Sequence, residues 1–325
     1  MPFSLASLTT TSASSLPNHR SLRYAGDDRG IALATFPERD RDTMIAFYGF
    51  LRDLERVLDE TTPEDDDDRL RALLVSRDPA ALMARVRMLG QDDGLPPGAA
   101  EALHDVRGGA ATLVFVRAAK FRTAASTPEV RRTLAVHVRD HMKMMRNVVP
   151  DLDPDARARD TSPLPHRLAD LADALRRWSD GADSSGSRVD VDAPEDATIA
   201  ESCVECSAVD RIVYNLVNNG IRHAPDGRVH VRFVVTHDDL RGVVTNAVTA
   251  SHSALLRERL TADATTLFGS FSTSGSGRGL GIVADLVSRA YGIGDLRSLV
   301  DAGYVGTTVE ADTFGAWFHW PRAGA

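Results

Sequence analysis

Asparagine and basic side chains recur along one face of a predicted helix in the last third of the chain. At 3.6 residues per turn, Asn215, Asn219 and Arg222 lie on the same face, and Asn218 and His223 flank them. The opposite face is apolar and is expected to be buried; it comprises Val209, Val213, Leu216 and Val217. Exposed helix faces usually carry Glu, Lys and Arg, because amides are poorer helix formers. An amide oxygen can bind Mg²⁺ without adding negative charge beside phosphates. The pattern therefore favours a metal–polyphosphate site over a merely solvated face.

A glycine-rich stretch follows further along the chain. It comprises Gly275, Gly277, Gly279 and Gly281, and it leads directly into an apolar helix pattern. Alternating glycines let backbone N–H groups approach a ligand, and the free amides at a helix start attract anions. Alone, such a loop is a weak signal: it lacks the Lys-Ser/Thr ending of a P-loop, and no strand followed by an acidic residue supports a Rossmann site. Combined with the amide-bearing helix, it predicts a phosphate cradle.

These segments resemble the nucleotide-binding boxes of the GHKL ATPases. The sequence NLVNNGIRHA at 215–224 resembles the N box of the histidine-kinase ATP-binding domain, and GSGRGLGIVADLV at 275–287 resembles its G2 box. Between them, LFGSF at 267–271 occupies the place of the F box. The resemblance implies an α/β sandwich that binds Mg·ATP between helices and a mobile lid.

The same resemblance implies a role for each residue that matches a box. Asn219 would be the Mg²⁺ ligand, Asn215 a neighbour on the phosphate side, and Arg222 a contact of the terminal phosphate. His223 takes the place of the aromatic or histidine residue that follows. The positions along the phosphate path would be Gly277, Gly279, Leu280 and Gly281.

The adenine-binding box departs from the family pattern. A DxGxG sequence is expected after the strand pattern GVVTN, but the residues at 246–250 are NAVTA. Asn246 can still exchange hydrogen bonds with an adenine amino group. Both glycines are missing, so the resemblance predicts a degenerate G1 box.

Composition limits the classes of partner. A chain of 325 residues suggests two or three domains, and a hydrophobic fraction of 43% is enough for real cores. The formal net charge is −8 without a basic stripe, so we expect no nucleic-acid partner. No apolar run approaches the length of about 18 residues that spans a bilayer, so we expect no membrane partner. The Ser/Thr-rich start lacks the charged and apolar segments of a secretory signal, which predicts a mobile tail on a cytoplasmic protein.

Helical patterns fill the chain before the amide-bearing helix. Residues 101–121 and 128–149 each carry an apolar stripe and predict an antiparallel helical hairpin. Because a single hairpin cannot bury both apolar faces, we expect a homodimer whose two hairpins form a four-helix bundle. The predicted fold is α+β and multidomain. Its parts are a mobile tail and helical region of unknown role (1–95), a hairpin dimerisation and phosphotransfer domain (96–160), and a GHKL-type α/β sandwich ATP-binding domain (161–325).

One histidine of the hairpin has the setting of a phosphoacceptor. The sequence HDVR, from His104 to Arg107, resembles the H box of the histidine-kinase dimerisation domain. A neutral imidazole is nucleophilic, and the adjacent Asp105 can orient it or accept its proton. The alternative is a solvated histidine on the bundle surface that has no catalytic role. The position of the hairpin before an ATPase-like domain favours the phosphoacceptor.

Two other patterns offer metal or redox chemistry. Cys203 and Cys206 have CxxC spacing, but there is no second cysteine pair to complete a zinc site, and we interpret them as packed thiols rather than a redox switch. His137 and His141 are four residues apart, but no third ligand is evident in the sequence. Packing or bundle-surface roles are therefore expected for both histidines.

Three functions compete on these residues. The leading hypothesis is a cytoplasmic, dimeric histidine kinase that binds ATP and Mg²⁺, phosphorylates His104 and passes the phosphoryl group to the aspartate of a response-regulator receiver domain in two-component signalling. The alternative, suggested by the degenerate G1 box, is a non-catalytic histidine phosphotransfer or docking protein. A GHKL Ser/Thr kinase acting on a regulatory partner is a third option, against which the H-box hairpin argues.

Overall fold

The protein folds into two compact units in the computed structural model. The structure describes residues 5–8, 30–60, 68–91, 95, 99–108, 111, 114–115, 118–119, 121, 128–181, 188–194, 197–236, 239–268 and 279–322. Met1–Ala25 and Pro163–Ala325 form one unit, here called the sheet unit, and Gly26–Ser162 form the other, here called the helical unit. No helix within these residues has both the length and the apolar character needed to cross a lipid bilayer.

A single helical turn, α1 (Leu5–Leu8), lies in the segment for which the sequence predicts a mobile tail. Leu8 is only 3% exposed and packs with Val243 and Trp317 of the sheet unit. The prediction of a mobile tail is therefore wrong for these four residues, because Leu5 and Leu8 pack on an apolar surface of the sheet unit.

The regular elements described in the helical unit are mainly α-helices. They are α2 (Glu38–Glu60), α3 (Asp68–Ser76), α4 (Pro79–Arg87), α5 (Ala99–Val106), α6 (Pro128–Val148) and α7 (Pro154–Asp160). Proline starts α4, α6 and α7, where its missing N–H has no helical partner to lose. Asp78 caps α4 by accepting a hydrogen bond from the Ala81 N–H (3.2 Å), and Asp153 caps α7 through the Ala156 N–H (3.0 Å).

A single hydrophobic core joins the helices of this unit. Leu134, Val138 and Met145 on α6 are 0% exposed in the single chain, and they share this core with Phe47 and Leu51 of α2. Within the chain, α2 packs against the apolar stripe of α6. The homodimeric four-helix bundle and the domain boundaries at 95/96 and 160/161 stay predictions.

A buried polar cluster ties α2, α6 and α7 together. The Arg146 guanidinium donates to both carboxylate oxygens of Asp160, at 2.6 and 3.0 Å, and to the Tyr48 hydroxyl at 2.8 Å. The Tyr48 hydroxyl in turn donates to Asp153 at 2.9 Å. Burial raises the pKa of Tyr48 to about 12, so the hydroxyl stays protonated and keeps this donor.

The sheet unit is an α/β sandwich. After α1 its elements are β1 (Pro163–Arg167), α8 (Leu168–Gly181), β2 (Arg188–Asp192), β3 (Thr198–Ser202), α9 (Cys203–His223), β4 (Arg228–Val235), β5 (Asp239–Ala247), α10 (Ala250–Ala262), α11 (Gly279–Tyr291), α12 (Leu296–Asp301), β6 (Val305–Glu310) and β7 (Thr313–Pro321). The main sheet has the order β2-β4-β5-β7-β6, in which β2 and β4 are parallel and the other neighbours antiparallel. Its inner face packs against α9 and α11. The α/β sandwich predicted for this part of the chain is therefore confirmed.

Three short elements of this unit are absent from the sequence prediction. β1 pairs with β3 in a separate two-stranded sheet, and the Leu168 N–H donates to the Ala197 carbonyl at 2.8 Å where α8 begins. The third is α12, whose N-cap Asp295 accepts from the Ser298 N–H at 2.7 Å. Each is five or six residues long, too short to show a period.

Candidate nucleotide-binding site

The amide-bearing helix α9 begins at Cys203. Its N-cap is Ser202, whose hydroxyl accepts from the Glu205 N–H at 3.3 Å, while the Glu205 carboxylate accepts from the Glu201 N–H at 2.6 Å. Cys203 and Cys206 consequently lie in the first turn of the helix without forming a disulfide, the first buried and the second half-buried.

The predicted buried face of α9 is confirmed. Val209, Val213, Leu216 and Val217 are at most 3% exposed and belong to the core between the helices and the sheet. Gly220, on the same helix, lies so close to β4 that a β-carbon there would approach Val229 Cγ2 to 2.9 Å. This packing fixes the rotation of α9 and so decides where its amides point.

The amides of α9 meet the start of the glycine-rich helix. A β-carbon on Gly279, the first residue of α11, would lie 2.9 Å from Asn219 Nδ2 and 3.3 Å from Asn215 Oδ1. The Asn215 side-chain amide donates to the Arg211 carbonyl at 2.8 Å, which leaves its oxygen on the side of Gly279. Two segments more than fifty residues apart in the sequence are thus brought into contact, as the phosphate-cradle hypothesis requires.

A second glycine brings the F-box segment against α11. A β-carbon on Gly281 would lie 3.0 Å from the carbonyl oxygen of Phe268, which is in a 3₁₀ turn (Thr266–Phe268). Leu280, between the two glycines, packs partly buried against the core. Gly277 lies outside the described residues, so its predicted place on the phosphate path stays a prediction.

Three basic side chains lie together at the C-terminal end of α9. Arg222 is exposed, His223 is half-buried, and the His223 ring lies 5.1 Å from the ring of His252 on α10. Burial, followed by the positive charge of His252 and Arg222, lowers the pKa of His223. A polyanion beside His223 would remove part of the cost of protonating that ring. Sequence reasoning missed His252, because nothing in its local sequence indicates that α10 folds back onto α9.

Asn246 lies at the end of β5, next to α9. It is 3% exposed, and its oxygen is 3.5 Å from the place of a Gly220 β-carbon. Its amide nitrogen donates to the Ala247 carbonyl at 2.7 Å, so the side-chain oxygen remains as the acceptor for an incoming amino group. At the two positions where the family has glycines, Val248 is 4% exposed and lies before α10, and Ala250 is the first residue of that helix.

The donors present fit Mg²⁺ rather than a transition metal. The described residues contain no group of three His, Cys, Asp or Glu side chains that could enclose a metal ion. Amide oxygens of the kind that Asn219 offers suit Mg²⁺, which keeps several waters and phosphate oxygens as its remaining ligands. Asn219 is accordingly the side chain that would hold the ion with the nucleotide.

The predicted phosphoacceptor lies in the helical unit. His104 is half-buried in the last turn of α5, and Asp105 follows it in the same helix. The two other histidines considered in the sequence have different settings: His137 is half-buried, whereas His141 is 1% exposed, contacts the Val106 carbonyl through Nε2 at 3.0 Å and lies against Phe47. The packing role expected for His141 is therefore observed.

Residues 206–319 match the family model described as "Histidine kinase-, DNA gyrase B-, and HSP90-like ATPase". These residues run from α9 through both amides and both described glycines to the last strand of the sheet. Over these residues, about a third of its length, the chain is similar to this ATPase family. Because they lie in the sheet unit, we call that unit the ATPase unit below. No match was found among curated proteins.

Solved histidine-kinase structures are similar to parts of this chain at low identity. The nucleotide-free catalytic domain of the histidine kinase ThkA is 16% identical, with 49% of this chain and 97% of that chain covered and a TM-score of 0.37. Full-length ShkA in complex with AMPPNP is 19% identical, with 76% of this chain and 46% of that chain covered and a TM-score of 0.38. A histidine kinase from Burkholderia phymatum is 15% identical, with coverages of 70% and 97% and a TM-score of 0.37.

Proposed function

We propose that the chain is a histidine kinase that binds Mg·ATP in the ATPase unit, phosphorylates His104 and then passes the phosphoryl group to a response-regulator aspartate. The observation that carries the proposal is the contact between Gly279 and the amides of Asn215 and Asn219. It joins the two segments that would hold the triphosphate, within the residues that match the ATPase family. A homodimer and a cytoplasmic location belong to the same proposal.

The proposed reaction needs positioning and charge neutralisation more than covalent chemistry. Asn219 would hold the metal side of the triphosphate, and Mg²⁺ would supply charge neutralisation of its oxygens. Arg222 adds positive charge at the C-terminal end of α9, and the His223 and His252 rings lie 5.1 Å apart beside it. The amide groups at the start of α11 would face the phosphates, as helix N-termini do in other anion sites.

His104 is the proposed nucleophile. One neutral imidazole nitrogen attacks the γ-phosphorus, the bond between that phosphorus and the β–γ bridging oxygen breaks, and ADP leaves. Asp105 receives the proton that the imidazole loses. In the second step a carboxylate oxygen of the receiver domain attacks the same phosphorus, and the N–P bond breaks with the electron pair returning to the imidazole.

A matched pair of histidine variants tests this assignment. Incubation with γ-labelled ATP is expected to label the wild type and His137→Gln but not His104→Gln, because His137 is a half-buried histidine of the same unit without the proposed role. The label is expected to be acid-labile, as phosphohistidine is. Label that persists in His104→Gln would refute the assignment, and an acid-stable label on a partner's serine would instead support a Ser/Thr kinase.

A non-catalytic phosphotransfer or docking protein is the second candidate. Val248 and Ala250, which stand at the family's glycine positions before and at the start of α10, favour it. A calorimetric titration separates the candidates: we expect Mg·ATP binding, whereas no heat of binding at millimolar nucleotide would support the non-catalytic function.

A further inference from the structure

Helix α2 has one face that the rest of the described chain does not cover. Ile45 on this face is 51% exposed, whereas Phe47 and Leu51 on the opposite face are fully buried. Gly49 lies one turn after Ile45 on the same face, and a β-carbon there would meet no atom within 4 Å. Because glycine weakens a helix interior relative to alanine, packing within the described residues gives no reason for a glycine at this position.

The residues of the uncovered face recur at the spacing of a coiled-coil seam. In chain order they are separated by alternating intervals of four and three residues. The members, here called the α2 seam, are Glu38, Asp42, Ile45, Gly49, Arg52 and Arg56. This alternation keeps all the members on one side of the helix, along a line that a second helix can follow. The α2 seam therefore has the geometry for packing against another helix.

Charge is divided between the two halves of the α2 seam. The N-terminal half carries the carboxylates of Glu38 and Asp42, and the C-terminal half carries the guanidinium groups of Arg52 and Arg56. The helix dipole does not account for this division, because the last turn of α2 contains no basic residue. Within the described part of the chain, Glu38, Asp42 and Arg52 form no ion pair, and Arg56 pairs with Asp53 at 3.3 Å. The separated charges thus await partners of opposite sign.

A second copy of α2 in the antiparallel direction matches the whole seam in one register. This register sets Ile45 of each copy opposite Gly49 of the other, so that the isoleucine enters the open space beside the glycine. The same register brings opposite charges together in every charged layer: Asp42 faces Arg52, and Glu38 faces Arg56. A twofold axis repeats each of these pairs. A parallel pair would instead set each carboxylate opposite its own copy, which like-charge repulsion disfavours.

The apolar and charged members of the seam make different contributions to such a pair. Ile45 and Gly49 form an apolar centre, and the ion pairs lie on either side of it, as in interfaces with a polar rim. Exposed ion pairs add little affinity, but like charges in facing positions cost much more. The charged residues therefore select the direction and the register, while the isoleucines supply the buried apolar surface.

We propose that the α2 seam is a docking surface for a second copy of this chain, which binds with its own α2 antiparallel about a twofold axis between Ile45 and Gly49. The complementary charges of the two halves of the seam identify the occupant as another copy. The inference deepens the homodimer part of the proposed function and does not depend on nucleotide binding or phosphotransfer. Its surface differs from that of the four-helix bundle predicted for residues 101–121 and 128–149.

Charge reversals in the full-length chain, followed by sedimentation equilibrium, test the docking surface. Asp42→Arg places two arginines opposite each other in both symmetric layers, so we expect dimerisation to weaken by about tenfold or more, and Arg52→Asp to have the same effect. The double variant Asp42→Arg/Arg52→Asp is expected to regain wild-type dimerisation. The two positions are about 15 Å apart along one helix, too far for an ion pair within a chain, so rescue arises only between copies. Glu258→Arg, a reversal at an exposed position of α10, should leave dimerisation unchanged.

A mixture of the two single variants gives an independent measurement. Asp42→Arg chains and Arg52→Asp chains should each dimerise weakly, yet pair with each other, because all the facing charges are opposite in the mixed dimer. A monomeric wild type, single variants that dimerise as the wild type does, or a double variant without rescue would each overturn the proposal. Labelling with γ-labelled ATP is measured separately: a monomeric wild type that still labels His104 would overturn the α2 interface and leave the proposed kinase activity standing. Dimerisation that follows the charge pattern in a chain without nucleotide binding would support the interface alone.

Discussion

Replacing Gly279 by alanine tests the contact on which the nucleotide site depends. The new β-carbon would lie 2.9 Å from Asn219 Nδ2 and 3.3 Å from both Asn219 Oδ1 and Asn215 Oδ1. The backbone of α11 fixes this β-carbon, so the half-buried Asn219 side chain must rotate away from it. The rotation would cost the nucleotide complex one interaction with a charged group, worth about 1.5–3 kcal/mol. That corresponds to Mg·ATP binding about 10- to 150-fold weaker.

The same substitution is expected to leave the fold intact. A single displaced, partly exposed amide changes the unfolding free energy by less than about 1 kcal/mol, since alanine also favours the helix over glycine. Calorimetric Mg·ATP titration and urea unfolding measure the two effects separately. Gly294→Ala, which adds a methyl group to open space, is the matched control. Unchanged nucleotide affinity in a folded Gly279→Ala protein would refute the reasoning.

Further predictions concern protonation, a buried ion pair and the adenine position. Because burial and positive neighbours lower the pKa of His223 from its ordinary 6.5, a bound polyanion should raise it again. Mg·ATP affinity should therefore rise as the pH falls towards the raised pKa of His223. The double variant His223→Gln/His252→Gln should show a flatter dependence of affinity on pH, and a wild-type dependence as flat as that of the variant would contradict this. In urea unfolding, Arg146→Leu should cost about 3–5 kcal/mol because Asp160 stays buried without its partner, and removing both groups should cost less. A single variant as stable as the double variant would count against a buried pair. Asn246→Asp should lower stability by about 1–3 kcal/mol without improving nucleotide affinity, because a carboxylate would face the Ala247 carbonyl that now accepts from the amide. Tighter binding with full stability would show this view of Asn246 to be wrong.

Local periodicity was sufficient to predict the central helix of the site. The apolar positions of α9 recur at the helical period, so their burial against the sheet follows from the sequence. Once that face is fixed, the amides at Asn215 and Asn219 must point away from the core. The contact with Gly279 then depended on the resemblance to a known family, because no local rule joins two segments so far apart in the sequence.

Elements too short or irregular to show a periodic hydrophobic pattern could not be predicted. For the periodic elements, the surface that packs against the apolar face could not be predicted either. β1 begins and continues with proline, at 163 and 165, and its pairing with β3 is a long-range choice. The stripe on α6 was predicted correctly, but periodicity does not say which surface packs on it, and its packing against α2 was not predicted. In the same way, nothing in the sequence around Leu5 and Leu8 indicates the apolar surface of the sheet on which they pack.

The most direct measurement places a metal–nucleotide complex beside the amides. With Mn²⁺ replacing Mg²⁺ in the presence of ATP, nuclear magnetic resonance should show paramagnetic broadening of the Asn219 and Asn215 side-chain amide signals, while the Asn147 signal of the helical unit serves as an internal comparison. The account predicts broadening at Asn219 that requires both Mn²⁺ and ATP. Broadening that is absent, or that is the same with Mn²⁺ alone, would contradict a triphosphate cradle between α9 and α11.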